Sequence, residues 1–495
     1  MGETKELDGL NGNPARSPAA VAAGFRLLLA LLAFATPSLT SCGDETSPLR
    51  TSSPQLPSGS NASLALGAGW QPIHAAVLEG SAEDIERALA GGAGSDSRTD
   101  AGFTPLYLAA QAGREQAAAL LLAHDARPDT RHFQGWTPLH VAAARSGEPL
   151  TSLLIEAGAE IEARSDGGLS PFQVAALAGN EGAAQALAEH GAADRLDPQL
   201  LRESAARGHL ALVDLLLSEG QDIDARAAGG DTALLRAARE GHADVVARLL
   251  ERGAALGRSN AAGRSPTLEA AANGRAEALA VLLDAGAPLD LRAKADGERG
   301  YTLLHLAAGD DDPDTTALLL QRGVAVDARS AEAATPLWVA AQAGKNAVAG
   351  LLLDAGANPD AQNQDGAGPL YIAAFLGNAS LADLLLDHGA RVDLRAIDAS
   401  TTLHLASRKG HLEMLEVLLD RGAEIDARDH IEATPLHAAA AAGHARVATF
   451  LIERGADPDA RTREGKRPAD LAANEEVRAA LRAGRRGRER DGEST

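Results

Sequence analysis

A chain of 495 residues that is 45% hydrophobic but only 3% aromatic must build its core from alanine and leucine, which excludes a large aromatic core and favours small, closely packed helices. A net charge of −22 excludes nucleic acid as the main partner, because phosphate binding requires a basic surface. The single cysteine excludes an intrachain disulfide framework and any zinc site built from several cysteines.

Residues 1–24 are polar and carry no helical or strand period. Arg26 then precedes an apolar run of 13 residues, 27–39, well short of the roughly 20 that a spanning helix needs. A positive residue, an apolar core and small residues together describe a secretory signal. The stretch Leu39-Thr40-Ser41-Cys42 resembles the bacterial lipoprotein box, which implies cleavage before Cys42 and lipid on that cysteine. Two plainer readings fit the same residues: an unmodified cysteine beside an ordinary cleavage site, or an uncleaved or intracellular apolar segment. Glu3, Glu6 and Asp8 make the leader long and acidic for a signal, and a translation start later than Met1 would remove them. Residues 1–42 are therefore expected to be leader and lipoprotein-type signal. Residues 43–69, rich in Ser, Pro, Gly and Asn, read as a flexible tether spanning on the order of 30 Å.

From residue 70 the chain repeats itself. Counterparts of Thr137-Pro138-Leu139-His140 begin at Gln71, Thr104, Ser170, Gln199, Thr232, Ser265, Thr302, Thr335, Gly368, Thr401 and Thr434. The period is 33 residues, falling to 29 before Gln199 and rising to 37 before Thr302. A partial thirteenth copy starts at Arg467. In most units a Thr or Ser caps a helix, proline follows at its first turn, and glycine ends it. After Thr434-Pro435-Leu436-His437, for example, Gly443 closes the first helix. Val447, Leu451 and Ile452 then form the apolar face of a second.

This pattern resembles the ankyrin repeat family over residues 70–482. The resemblance implies an all-α solenoid of about 12 helix-turn-helix repeats with β-hairpin fingers, stable only as a stack because no unit buries its apolar face alone. A basic tail, 483–495, is expected to be disordered, with contact to an anionic lipid or acidic partner as the other reading.

Motifs for chemistry are absent: no phosphate loop, no zinc-protease or serine-hydrolase signature. His74, His140, His305, His404 and His437 share the fourth tetrad position, a whole repeat or more apart, so they read as structural ties. Asp310-Asp311-Asp312-Pro313-Asp314 lacks the glycine and distal glutamate of a calcium loop and reads as a solvated turn. No catalytic, cofactor or metal residue is assigned, and the chain is read as non-enzymatic.

Most fingers carry an acid with an arginine two residues on, as in Asp96/Arg98, Asp129/Arg131, Asp327/Arg329, Asp393/Arg395 and Asp426/Arg428. In an extended segment such residues share a face. Stacked fingers would form rows that either hold register or offer arginines to an acidic ligand; Gln362 interrupts the arginine row. The aromatics fall into two groups. Phe103, Tyr107, Phe133 and Trp136, with Leu169 and Leu177, form the first. Tyr301, Trp338, Tyr371 and Phe375, with Leu376, form the second. The family resemblance places the residue before each tetrad at the finger base on the concave side, and exposed aromatics on a rigid surface are typical hot spots. These residues are the partner-binding candidates, while Phe172 is expected in the core.

The expected function is protein binding by a monomer, with an unidentified protein partner, no nucleic acid and no cofactor. The chain is expected on a bacterial cell envelope, held by a lipid anchor rather than a spanning helix. A secreted effector, or an inhibitor or immunity-type protein acting on a released enzyme or host protein, is the alternative.

Overall fold

Each repeat in the computed structural model, which describes residues 69–132, 134–294 and 300–492, follows from the capping signals in its sequence. Cys42, the expected signal, the tether up to residue 68 and Phe133 lie outside the described residues. Twelve helix pairs run from Pro72–Glu79 with Ala82–Ala90 to Pro435–Ala442 with Ala445–Glu453. A short helix, Pro468–Leu471, and a long one, Glu475–Gly492, follow. The described residues hold no regular strand.

Helices begin where threonine and proline direct them. The Thr104 hydroxyl accepts the Tyr107 amide at 3.3 Å, and that of Thr335 accepts the Trp338 amide at 3.2 Å. Pro105 and Pro336 each take the first helical position, where the absent N–H costs nothing. Gly377 and Gly443 end their helices with φ of 73° and 83°, the left-handed conformation glycine adopts without strain.

The chain divides into two units, one running to Ala175 and including Gly182–Ala192, the other holding Ala176–Glu181 and everything from Ala193 onward. Within each unit, first helices pack on first helices of neighbouring repeats and second helices on second helices. Alanine faces let these helices approach closely. Leucines such as Leu106, Leu139, Leu337 and Leu436 fill the gaps and are fully buried; each such side chain contributes about 2 kcal/mol. Phe172 is fully buried, as expected.

The fingers are hairpins only at their tips. Thr99 donates its amide to the Phe103 carbonyl at 3.0 Å and accepts that of Gly102 at 2.8 Å. Ser330 repeats this with Ala334 and Ala333. Pairing beyond the tip reaches isolated antiparallel bridges at Arg292–Thr302 and Arg395–Thr401.

Two segments differ from expectation. Gln199 is not a helix cap: Asp197 is, accepting the Gln199 amide at 2.9 Å, and the helix Pro198–Ala206 starts two residues before the repeat period predicts. A 3-10 turn, Ala193–Leu196, replaces the finger there. The expected disordered tail from residue 483 instead continues a helix to Gly492. That helix packs on Ala445–Glu453 through Gly484, where a Cβ atom would lie 2.6 Å from Ile452 Cγ2.

Candidate functional site

Three columns of polar side chains bind repeat to repeat. The first is the tetrad histidine. The Thr137 amide donates to His140 Nδ1 at 3.2 Å, so the ring proton sits on Nε2 and is donated to the Leu169 carbonyl, 3.0 Å away. His305 reaches Ala334 at 2.9 Å, His404 reaches Ala433 at 3.0 Å and His437 reaches Lys466 at 3.1 Å in the same way. Burial holds His140 and His305 down to about 4 and lowers His74, His404 and His437 as well. These rings are neutral ties, as the sequence suggested.

The second column follows the helix-ending glycine. His242, His411 and His444 join the Ala206, Phe375 and Arg408 carbonyls at 3.0, 3.3 and 3.0 Å. Each ring lies against the glycine of the repeat before it. A Cβ atom on Gly208 would meet His242 Nδ1 at 2.6 Å, and one on Gly377 would meet His411 Nδ1 at 2.8 Å.

The third column resolves the finger rows. Arg131 donates to the Arg164 carbonyl of the next finger at 2.7 Å, Arg329 to that of Gln362 at 2.6 Å and Arg395 to that of Arg428 at 2.6 Å. Many also hold their own hairpin tip, as Arg395 does through the Ala399 carbonyl at 3.0 Å. Gln362 does not interrupt the row: its amide donates to the Arg395 and Gly366 carbonyls. The acids also reach forward, as acceptors. Asp129, Asp327 and Asp426 accept the amides of Glu160, Asn358 and Asp457 in the next repeat at 2.7, 3.1 and 3.1 Å. Both rows therefore form a ladder that holds neighbouring repeats in register.

The first aromatic group is largely spent on packing. Phe103 is half-buried, stacks on His132 at 4.3 Å and lies 5.4 Å from Tyr107. Tyr107 is buried, and desolvation raises its hydroxyl to about 12. Trp136, expected at an exposed finger base, is only 6% exposed and lies 5.7 Å from His140. Leu169 and Leu177 are half-buried; their carbonyls serve His140 and Arg207.

The second group divides. Trp338 is buried, and its Nε1–H donates to the Ala367 carbonyl at 3.1 Å, the tie that histidine makes elsewhere. Tyr301 is half-buried and stacks on His305 at 5.1 Å. Tyr371 and Phe375 are half-buried on one face of the helix Pro369–Leu376, and Leu376 at its end is 46% exposed. Sequence reasoning missed two neighbours. Ile397 is 75% exposed at one fingertip and Ile431 46% exposed at the next. Their signal was an aliphatic residue at tip positions that hold Asp, Ala, Gly or Gln in most other fingers. Of the five large apolar side chains exposed among the described residues, three are thus Leu376, Ile397 and Ile431, in consecutive repeats.

Other charged clusters satisfy themselves. Arg239 holds Glu269 with two bonds of 3.1 and 3.0 Å and Asp231 at 3.0 Å. In the acidic turn, Asp312 caps its helix through the Asp314 amide at 3.1 Å, and Asp311 pairs with Lys345 at 2.7 Å. Among the described residues no three His, Cys, Asp or Glu side chains gather as a metal site, and no helix is long and apolar enough to cross a membrane.

These features are those of a repeat protein held together by recurring inter-repeat ties. The family model for ankyrin repeats (3 copies) matches residues 53–132, 128–197, 201–293, 289–363 and 338–429, and that for the single ankyrin repeat matches 432–463. The chain belongs to the ankyrin repeat family, whose repeats are generally non-enzymatic modules for protein–protein interaction. Among solved structures, the human ASB11 ankyrin repeat domain is 28% identical and covers 45% of this chain and 98% of its own, with a TM-score of 0.42. No curated protein matches the chain by sequence.

Proposed function

We propose that the chain binds a partner protein through the first helices and fingers of the repeats that carry Tyr371, Phe375, Leu376, Ile397 and Ile431. The supporting observation is that exposed apolar side chains concentrate there, while Phe103, Tyr107 and Trp136 of the first group are buried or stacked. Apolar side chains held in water on a rigid scaffold mark interaction surfaces, because covering them releases their hydration without a large ordering cost. The test is affinity capture on the purified full chain from an envelope extract. A bound protein should be lost from the combined Leu376→Ala and Ile397→Ala variant and retained by Phe103→Ala. Equal capture by both variants would move the site elsewhere.

The same reading places the chain on a bacterial envelope, tethered by lipid at Cys42. It rests on the Leu39-Thr40-Ser41-Cys42 stretch and on the polar segment after it. Labelling with a radioactive fatty acid should mark the wild-type chain and not Cys42→Ser, which should accumulate as an uncut precursor. Normal processing of that variant would remove the tether from the account.

A further inference from the structure

Two cations stand in the repeat beside Phe375 and Leu376. Arg408 and Lys409 end the helix Thr402–Lys409, in the repeat next to Phe375 and Leu376, and both are exposed. Neither forms an ion pair among the described residues, in a chain whose ladder arginines are bonded to carbonyls and whose second-helix arginines pair across repeats, as Arg421 does with Asp383 at 2.9 Å. The Lys409 ammonium instead lies 4.1 Å from the centre of the Phe375 ring, where the ring's π face attracts a cation.

The nearby anions are already engaged. Asp398 accepts the Ser400 amide at 3.0 Å and its hydroxyl at 2.6 Å. Asp429 accepts the Ile431 and Ala433 amides, each at 2.9 Å. In the repeat on the other side, Gln342 and Ala343 stand where Phe375 and Leu376 do and carry no charge. The apolar shelf is therefore bordered on one side by Lys409 and by Arg408, whose charge also acts on Asp398 without a direct ion pair, and on the other by neutral residues.

Building on the partner-binding reading, we infer that this shelf receives an acidic segment of another protein, with an aliphatic or aromatic anchor on Phe375 and Leu376 and a carboxylate at Arg408 and Lys409. The chain's overall negative charge does not forbid this. At physiological salt, exposed charges beyond about 8 Å are largely screened, so local cations decide. A basic segment would meet these two cations directly, and like charges at an interface cost affinity.

Two fluorescein-labelled peptides test the inference on the full chain at physiological salt. Both carry a central Leu-Phe-Leu, flanked by aspartates in one and by lysines in the other, and binding is read by fluorescence anisotropy. The aspartate peptide should bind about tenfold more tightly than the lysine peptide. The paired Arg408→Glu and Lys409→Glu variant should reverse that order, and Leu376→Ser should weaken both peptides while helical content stays unchanged. Equal binding, or an order unchanged by charge reversal, overturns the inference. Tighter binding of the lysine peptide that still depends on Leu376 also overturns it, yet leaves the partner-binding reading standing. Binding of neither peptide overturns the acidic-segment inference, and the capture experiment above then decides the broader reading separately.

Discussion

Ser204 and Ser407 show how single residues depart from the repeat that contains them. Both hydroxyls are buried without a hydrogen-bond partner, at positions where neighbouring repeats place Ala237 and Ala440. A buried hydroxyl left unpaired costs roughly 1–3 kcal/mol, so Ser204→Ala and Ser407→Ala should each stabilise the chain by about 1 kcal/mol. A urea midpoint that falls for either would contradict this. Ala399 carries a φ of 59° at a fingertip position where Gly366 and Gly465 take the same left-handed turn. Ala399→Gly should therefore raise stability by roughly 0.5–1 kcal/mol, the relief of Cβ strain less the entropy of an added glycine. The repeat period made the exceptional residues easy to find. It did not reveal whether Ser407 had a partner or what backbone angle Ala399 adopts, because both depend on the neighbouring repeat.

At the scale of helices and fingers, the ties are histidine rings bridging one repeat to the next, and they make the stack sensitive to acid. Burial holds His140 and His305 down to about 4 in the folded chain, against an ordinary 6.5. Above pH 6.5 both folded and unfolded chains are neutral at these positions, and their contribution is complete. As pH falls from 6.5 toward 4, the unfolded chain takes up protons that the folded chain does not, and stability is lost throughout that window. Each histidine contributes a slope of up to about 1.4 kcal/mol per pH unit. Urea midpoints should therefore fall between pH 6.5 and 4.5, and the combined His140→Gln and His305→Gln variant should show a shallower fall. A flat profile for the wild type would remove the histidines from this role. The glycine positions are equally exacting. Gly208→Ala should cost about 1–2 kcal/mol from its left-handed backbone alone, and more from the contact with His242. Helix starts and stops were legible because threonine, proline and glycine act locally. The early start at Asp197 and the helix running to Gly492 were not. The first follows from a missing finger, and the second from packing against Ile452, a contact made between elements.

For the whole molecule, the finger ladder separates structure from function. Its arginines and aspartates could hold register or offer a ligand site, and their bonds run to backbone groups of adjacent fingers and repeats. Gln362 shows that hydrogen-bonding capacity, rather than charge, is what the ladder requires. The aromatics were legible as two groups, yet composition could not show that Trp136 and Trp338 would be buried while Leu376 stayed exposed. Exposure depends on which face the neighbouring repeat covers. The proposed partner surface is the apolar shelf around Phe375 and Leu376 with the fingertip isoleucines. The most direct measurement is photo-crosslinking on the full chain in envelope extract, with a benzoyl-phenylalanine replacing Leu376 in one sample and Trp136 in another. The account predicts a discrete crosslinked protein from position 376 and none from position 136. A crosslink from position 136 alone, or none from position 376, would contradict it.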